Sequence, residues 1–191
     1  MNTFSELSLS ALLQRNLADL GFVKPTAVQA GAIPVALSGR DVVATAQTGT
    51  GKTLAFVLPL LEALNSTPRQ PGVGALILSP TRELAMQSQE TFTRLAAGTG
   101  IRSAVVVGGL SEQAQLRAIR CGATVLIATP GRLADFLERK LIALSGVRML
   151  VLDEADRMLD MGFLPTIKRL LAATPASRQT LFFSATIESS V

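Results

Sequence analysis

Residues 46–53 read Ala46-Gln47-Thr48-Gly49-Thr50-Gly51-Lys52-Thr53, and their types and spacing suit the binding of a phosphate chain. Gly49 and Gly51 let the backbone curl so that successive N–H groups face one anion, and a helix opening at Lys52 adds its positive end. Lys52 can reach the β- and γ-phosphates of a nucleotide, and the Thr53 hydroxyl can ligate Mg2+. Ala46 stands where the strict form of this pattern has glycine. The competing reading is a glycine-rich turn with a solvated lysine. The apolar run before the loop and the helical pattern after it argue against that.

A second cluster lies further on, where Val147-Arg148-Met149-Leu150-Val151-Leu152 runs into Asp153-Glu154. An apolar strand that ends in two carboxylates is the expected partner of a phosphate loop. Asp153 would hold Mg2+ through water, and Glu154 would position or deprotonate the attacking water. The bland alternative is that both acids only favour the start of the next helix.

These groups need elements to carry them. Short apolar runs alternate with helical periodicity along the chain. Strands are expected over residues 41–46, 75–78, 103–107, 125–128, 147–152 and 180–183. Helices are expected over residues 9–20, 25–37 (with Pro34 as a kink or stop), 52–64, 82–96, 156–161 and 167–173, with another beginning at Arg132. Continuous apolar strands separated by helices imply an α/β fold, a mostly parallel sheet with helices on both faces. Sites in such folds lie at the carboxyl ends of the strands, where the phosphate loop and the acid pair both fall. Residues 65–74, rich in Pro and Gly, read as a surface loop, so residues 1–191 form one domain.

Composition narrows the chemistry. Apolar residues make up 48% of the 191 residues, enough for a substantial core. The net charge of +4 permits a polyanionic partner without establishing one. The sequence has one cysteine, Cys121, and no histidine, which excludes a disulfide framework and a histidine base and argues against zinc. Residues 1–20 carry Glu6 and Asp19, unlike a signal peptide. No run approaches the roughly 18 apolar residues that a membrane helix requires. The default expectation is a soluble cytoplasmic protein with no membrane contact.

Asp153-Glu154-Ala155-Asp156 reads D-E-A-D, and with it the chain resembles the first RecA-like domain of DEAD-box RNA helicases over nearly its whole length. Gly21-Phe22-Val23-Lys24-Pro25-Thr26-Ala27-Val28-Gln29 is similar to that family's Q motif, within a 2–30 segment that has Phe4 as its upstream aromatic. Pro80-Thr81-Arg82-Glu83-Leu84-Ala85 resembles motif Ia, Gly108-Gly109 the glycine doublet, Thr129-Pro130-Gly131-Arg132 motif Ib, and Ser184-Ala185-Thr186 motif III.

The resemblance implies an ATP- and Mg2+-dependent enzyme that acts on RNA. Phe4, Phe22, Lys24, Thr26 and Gln29 would line the adenine site. Gln29 can pair two ways with the N6/N7 edge of adenine, and Phe4 would stack on the base. Arg82, Gly109, Thr129 and Arg132 would form an RNA track made of backbone contacts, indifferent to sequence. The alternative for Arg82 and Arg132 is a salt bridge with Glu83 or Asp156. Ser184 and Thr186 would hydrogen-bond the Asp153/Asp156 region and couple nucleotide state to domain arrangement.

The resemblance also implies a second RecA-like domain that carries an arginine finger. No second set of motifs follows Thr186, so the sequence reads as half of a longer helicase core. Two function classes follow: an ATP-hydrolysing helicase half, or a nucleotide-dependent nucleic-acid clamp without strand separation.

Overall fold

The structure, a computed structural model, describes residues 2–68 and 70–186. Its strands are β1 (Val42–Thr45), β2 (Ala75–Leu78), β3 (Ser103–Val106), β4 (Val125–Ala128), β5 (Met149–Leu152) and β6 (Gln179–Ser184). They form one six-stranded sheet in the order β1-β6-β5-β2-β4-β3, with every pairing parallel. Strands β2, β4 and β5 are buried at every position. Helices cover both faces, so these strands have no wet side and show no polar alternation.

The helices are α1 (Ala11–Asp19), α2 (Ala27–Leu37), α3 (Lys52–Asn65), α4 (Arg82–Leu95), α5 (Glu112–Arg120), α6 (Pro130–Glu138), α7 (Ala155–Asp160) and α8 (Leu164–Ala172). Alternate strand residues divide between two cores. Ala75, Ile77, Val125, Ile127 and Val151 pack with α1 to α4 on one face. Leu76, Leu78, Leu126, Leu150 and Leu152 pack with α6 to α8 on the other. This is the α/β sandwich that the sequence pattern implies. No helix among the described residues is long and apolar enough to cross a membrane.

Two elements depart from expectation. Pro34 does not stop its helix: α2 continues to Leu37. Ile33 and Ala36 are buried on either side of it, and that packing outweighs the hydrogen bond that proline removes. Helix α5 has no counterpart among the sequence-based expectations, because its only inward apolar residues are Leu116 and Ile119, both partly buried. Its signals are local ones. Ser111 caps the first turn by accepting from the Ala114 N–H at 3.4 Å, Glu112 opens the helix, and Arg117 and Arg120 close it.

Helix α1 docks through a polar residue. Asn16 is 8% exposed and donates to the carbonyls of Leu95 and Ala97 at 2.8 and 2.9 Å, which binds α1 to the end of α4. Asn16→Ala strips one buried and one part-buried carbonyl of their partner and should cost about 1–3 kcal/mol in a denaturant titration. A change within about 0.5 kcal/mol, the range of surface substitutions, would show that water replaces the amide.

Candidate functional site

The phosphate loop begins where β1 ends and closes at the first residue of α3. Gly49 and Gly51 both take positive φ, 85° and 90°, which side chains rarely adopt. Gly51 carries a second constraint: a Cβ there would lie 2.3 Å from Gln29 Nε2. The Gln29 amide donates to the Gly51 carbonyl at 3.0 Å, and its carbonyl accepts from the Thr26 N–H at 2.9 Å. Thr26 and Gln29 form a capping box at the start of α2. Gln29 is therefore 4% exposed and ties the Q-motif segment to the phosphate loop.

At the next level the loop meets the acid pair. Lys52 is 5% exposed; its Nζ donates to the Ala46 carbonyl at 2.9 Å and to Glu154 Oε1 at 2.8 Å. The Thr48 hydroxyl donates to the same oxygen at 2.9 Å. Glu154 adopts φ 53°, a left-handed conformation that costs a non-glycine residue on the order of 1–3 kcal/mol. Thr53, half-buried, follows on the first turn of α3, while Gln47 and Thr50 close the loop through a Thr50 hydroxyl bond to the Gln47 carbonyl at 2.7 Å.

Asp153 is also buried, and its Oδ1 has no hydrogen-bond partner among the described residues. Burial pushes its carboxyl up to about 7, against the pull of Lys52. A buried, unpartnered carboxylate oxygen beside a phosphate loop fits a hard cation. Among the described residues no three Asp, Glu, Cys or His side chains are placed to hold a metal together, so the protein would supply few ligands. That suits Mg2+, which usually takes one or two carboxylates and fills its shell with phosphates and water.

Asp156 links this site to β6. Its Oδ2 accepts from the N–H groups of Ala185 and Thr186, both at 3.0 Å, and from the Thr186 hydroxyl at 3.2 Å. Partial burial would raise this carboxyl, but the N–H groups of Arg157 and Thr186 and the Thr186 hydroxyl hold it below its usual range. The Ser184 hydroxyl also helps to hold Asp156 below its usual range, as its sequence neighbourhood suggests. It donates to the Thr186 carbonyl at 2.5 Å, because Ser184 points into the protein at the buried end of β6.

The aromatic expectation needs correction. Phe4 is 3% exposed and belongs to the core, edge-on to Phe22 with ring centroids 6.4 Å apart. It offers no free face to a base. Phe22 is half-buried and is the ring of the pair that reaches the surface, and Lys24 and Thr26 are exposed beside it.

The expected RNA residues follow the carboxyl ends of β2, β3 and β4, on the same side of the sheet as the phosphate loop. Arg82 opens α4 and pairs with Glu83 at 3.1 Å, with both side chains largely exposed. Gly109 has φ 77°, and a Cβ there would lie 3.2 Å from Arg82 Nη1, which makes the doublet and Arg82 neighbours. Thr129 precedes α6, and its N–H donates to the Val106 carbonyl at 3.0 Å. Arg132, in the first turn of α6, has Glu112 as its acidic neighbour at 3.6 Å, not Glu83 or Asp156.

Sequence reasoning missed one positioning residue. Gln115 is 6% exposed, and its amide brackets Val107, accepting from the N–H and donating to the carbonyl, both at 3.0 Å. A further bond to the Leu110 carbonyl at 3.3 Å holds the glycine-doublet loop from both ends. A glutamine between Ala114 and Leu116 gives no sequence signal for this.

A parallel sheet with a glycine loop after β1 and a paired acid after β5 defines a RecA-like domain. The sequence profile described as DEAD/DEAH box helicase matches residues 26–191, so the chain belongs to that family. It is 45% identical over 98% of its length to the DEAD-box ATP-dependent RNA helicase CshA of Streptococcus pneumoniae, and covers 36% of that protein. It is 46% identical over its whole length to the ATP-dependent rRNA helicase RRP3 of Meyerozyma guilliermondii, and covers 40% of it. The crystal structure of a DEAD box protein from the hyperthermophile Methanococcus jannaschii superposes with a TM-score of 0.93 at 36% identity, over all of this chain and 52% of that one. The chain thus spans about half or less of these relatives.

The acid pair yields a pH prediction. Folded Asp153 keeps a proton that the unfolded carboxyl releases above its ordinary value, so its contribution to stability falls as pH rises from about 4 to about 7. Without divalent cations, Asp153→Asn should therefore gain more stability over the unmodified chain at about pH 8 than at about pH 5. Equal gains in denaturant titrations at the two values would contradict the buried-acid assignment.

Proposed function

We propose that this chain is the ATP-binding, RNA-contacting half of an ATP-dependent RNA helicase core that couples hydrolysis to RNA duplex unwinding or to remodelling of RNA–protein complexes. The observation that carries this reading is the buried contact between Lys52 and Glu154, at 2.8 Å, at the carboxyl end of the sheet that also bears Arg82, Gly109 and Arg132. Cys121 is exposed and unpaired, which suits a reducing cytoplasmic setting.

Each role follows from chemistry. Gln29 uses one acceptor site and one N–H internally and retains a second of each, which matches the donor–acceptor edge of adenine. Phe22 supplies the stacking ring. The loop N–H groups and Lys52 bind the phosphates. Thr53 and Asp153 would hold Mg2+, whose charge neutralises the phosphate oxygens. A triphosphate competes with Glu154 for Lys52, and Glu154, once freed, is placed to orient a water and accept its proton. Arg82, Gly109, Thr129 and Arg132 contact the RNA backbone. Asp156 joins the two activities, because it grips the segment that leaves β6 between them.

A second RecA-like domain would complete both sites with an arginine finger, which is worth roughly 10³–10⁵ in rate. The share of each relative that this chain covers agrees with that division. The clamp without strand separation is the competing reading. The retained Glu154 favours hydrolysis.

Lys52→Ala should weaken ATP binding far more than AMP binding, since Lys52 meets only the outer phosphates. Glu154→Gln in the two-domain protein should keep ATP binding and abolish turnover. Calorimetry and a phosphate-release assay read both, and normal hydrolysis by Glu154→Gln would remove the water-positioning role.

The 191-residue chain alone should bind ATP over GTP and hydrolyse it near background, without separating an RNA duplex. Robust ATP-dependent strand separation by this chain would refute the half-core reading. RNA-stimulated ATPase without unwinding by the two-domain protein would favour the clamp.

A further inference from the structure

Two charged residues, Glu112 and Arg139, meet beside Arg132. Glu112 is the first residue of α5, directly after the doublet loop, and Arg139 caps the end of α6. The Arg139 guanidinium grips Glu112 as a fork, Nη2 to Oε1 at 2.6 Å and Nη1 to Oε2 at 2.8 Å. Its Nη1 also reaches Asp135 Oδ2 at 3.2 Å. Arg132 Nη1 stands 3.6 Å from Glu112 Oε2, within ion-pair reach but outside hydrogen-bond distance. The Arg132 guanidinium also lies 5.6 Å from the centroid of the buried Phe136 ring. Arg132 is thus oriented by a ring and by a nearby charge, while the carboxylate beside it is committed elsewhere.

We propose that Arg139 is a positioning residue for RNA binding: by holding Glu112 in a two-pronged pair, it prevents that carboxylate from capturing Arg132 and leaves Arg132 for a backbone phosphate. This rests on the assignment of Arg132 to the RNA track. Bidentate, charge-assisted pairs are roughly twice as strong as neutral hydrogen bonds, so Glu112 favours Arg139 while Arg139 is present. Without Arg139, the nearest cation to Glu112 is Arg132, and a shift of less than about 1 Å would turn the ion pair into a charge-assisted hydrogen bond. A phosphate would then have to displace a carboxylate to reach Arg132. Both partners are partly exposed, which keeps the competition within the range that salt and binding can tip.

The test is a four-variant RNA titration on the full chain: Arg132→Ala, Arg139→Ala, Glu112→Gln, and Glu112→Gln with Arg139→Ala. Fluorescence anisotropy with a labelled single-stranded oligouridine at low salt gives affinity, and a fluorescent ADP analogue gives the control. Arg139→Ala should weaken oligouridine binding by roughly 3- to 10-fold. Glu112→Gln should bind at least as well as the unmodified chain. The double variant should match Glu112→Gln, because removing the competing carboxylate makes Arg139 unnecessary. ADP affinity should stay the same in the Glu112 and Arg139 variants.

If the double variant stays as weak as Arg139→Ala, Arg139 itself touches RNA and the proposal is overturned. Unchanged binding by Arg139→Ala overturns it too, while the Arg132 assignment stands as long as Arg132→Ala is weak. If Arg132→Ala binds normally, the RNA-track reading falls and takes this proposal with it. Should Arg139→Ala lose ADP binding through misfolding, Arg139→Lys replaces it. That variant keeps the charge without the fork, and the same order of affinities is expected.

Discussion

An ammonium and a carboxylate that are both nearly sealed from water cannot persist unless they are paired, and the Lys52–Glu154 contact at 2.8 Å is such a pair. Its geometry constrains much of the fold. Lys52 follows β1 and Glu154 follows β5, so the ends of two strands separated by β6 must converge. Parallel registers set Thr45 opposite Ser184 and Leu152 opposite Phe182, so β5 ends two residues short of its neighbours and the acid pair falls beside their ends. The strained backbone at Glu154 turns its side chain back toward the loop, and Gly51 allows Gln29 to approach from behind. Thr48 supplies a further donor, so one carboxylate oxygen receives both a cation and a hydroxyl. A phosphate offers Lys52 the same charge, so the pair both stabilises the site and sets a threshold for its ligand.

The central strand of this group joins the phosphate loop to the acid turn. β6 lies between β1 and β5, its terminal Ser184 carbonyl accepts from the Ala46 N–H of the phosphate loop at 2.9 Å, and the next residues donate to Asp156. Asp156 therefore holds the chain leaving the sheet through backbone N–H groups, whose positions are fixed more tightly than those of hydroxyls. A displacement of the acid turn would be passed to that segment directly. The Thr186 hydroxyl adds to this clip, while the Ser184 hydroxyl turns inward to the Thr186 carbonyl and shapes the turn itself.

The cationic side of this sheet end follows a different rule. Arg82 and Arg132 both have carboxylate neighbours, but these contacts are exposed or longer than a hydrogen bond and hold the arginines only weakly. Rigidity comes instead from neutral groups. Gln115 brackets Val107 and Leu110 and so fixes the loop that bears Gly108 and Gly109. The buried ring of Phe136 supports Arg132. Fixed backbone with lightly held charges suits a partner recognised by its repeating phosphates.

Much of the site was legible in the sequence because its determinants are local. Positive-φ glycines, a lysine and threonine opening a helix, and an apolar run ending in two acids each specify their geometry over a few residues. The parallel sheet was legible for the same reason, since strands buried on both faces must be apolar throughout. The remaining features depend on residues far apart in the chain. The burial of Phe4, the docking of Asn16 onto α4, and the placement of Glu112 and Arg139 beside Arg132 have no local signature. Helix α5 was hidden because two partly buried apolar residues make too faint a stripe. The sequence by itself determined which groups could bind phosphate and hold a metal. Only the tertiary structure decided which of them meet, because Lys52 and Glu154 are 102 residues apart and the sheet order that joins them is set by packing on both faces.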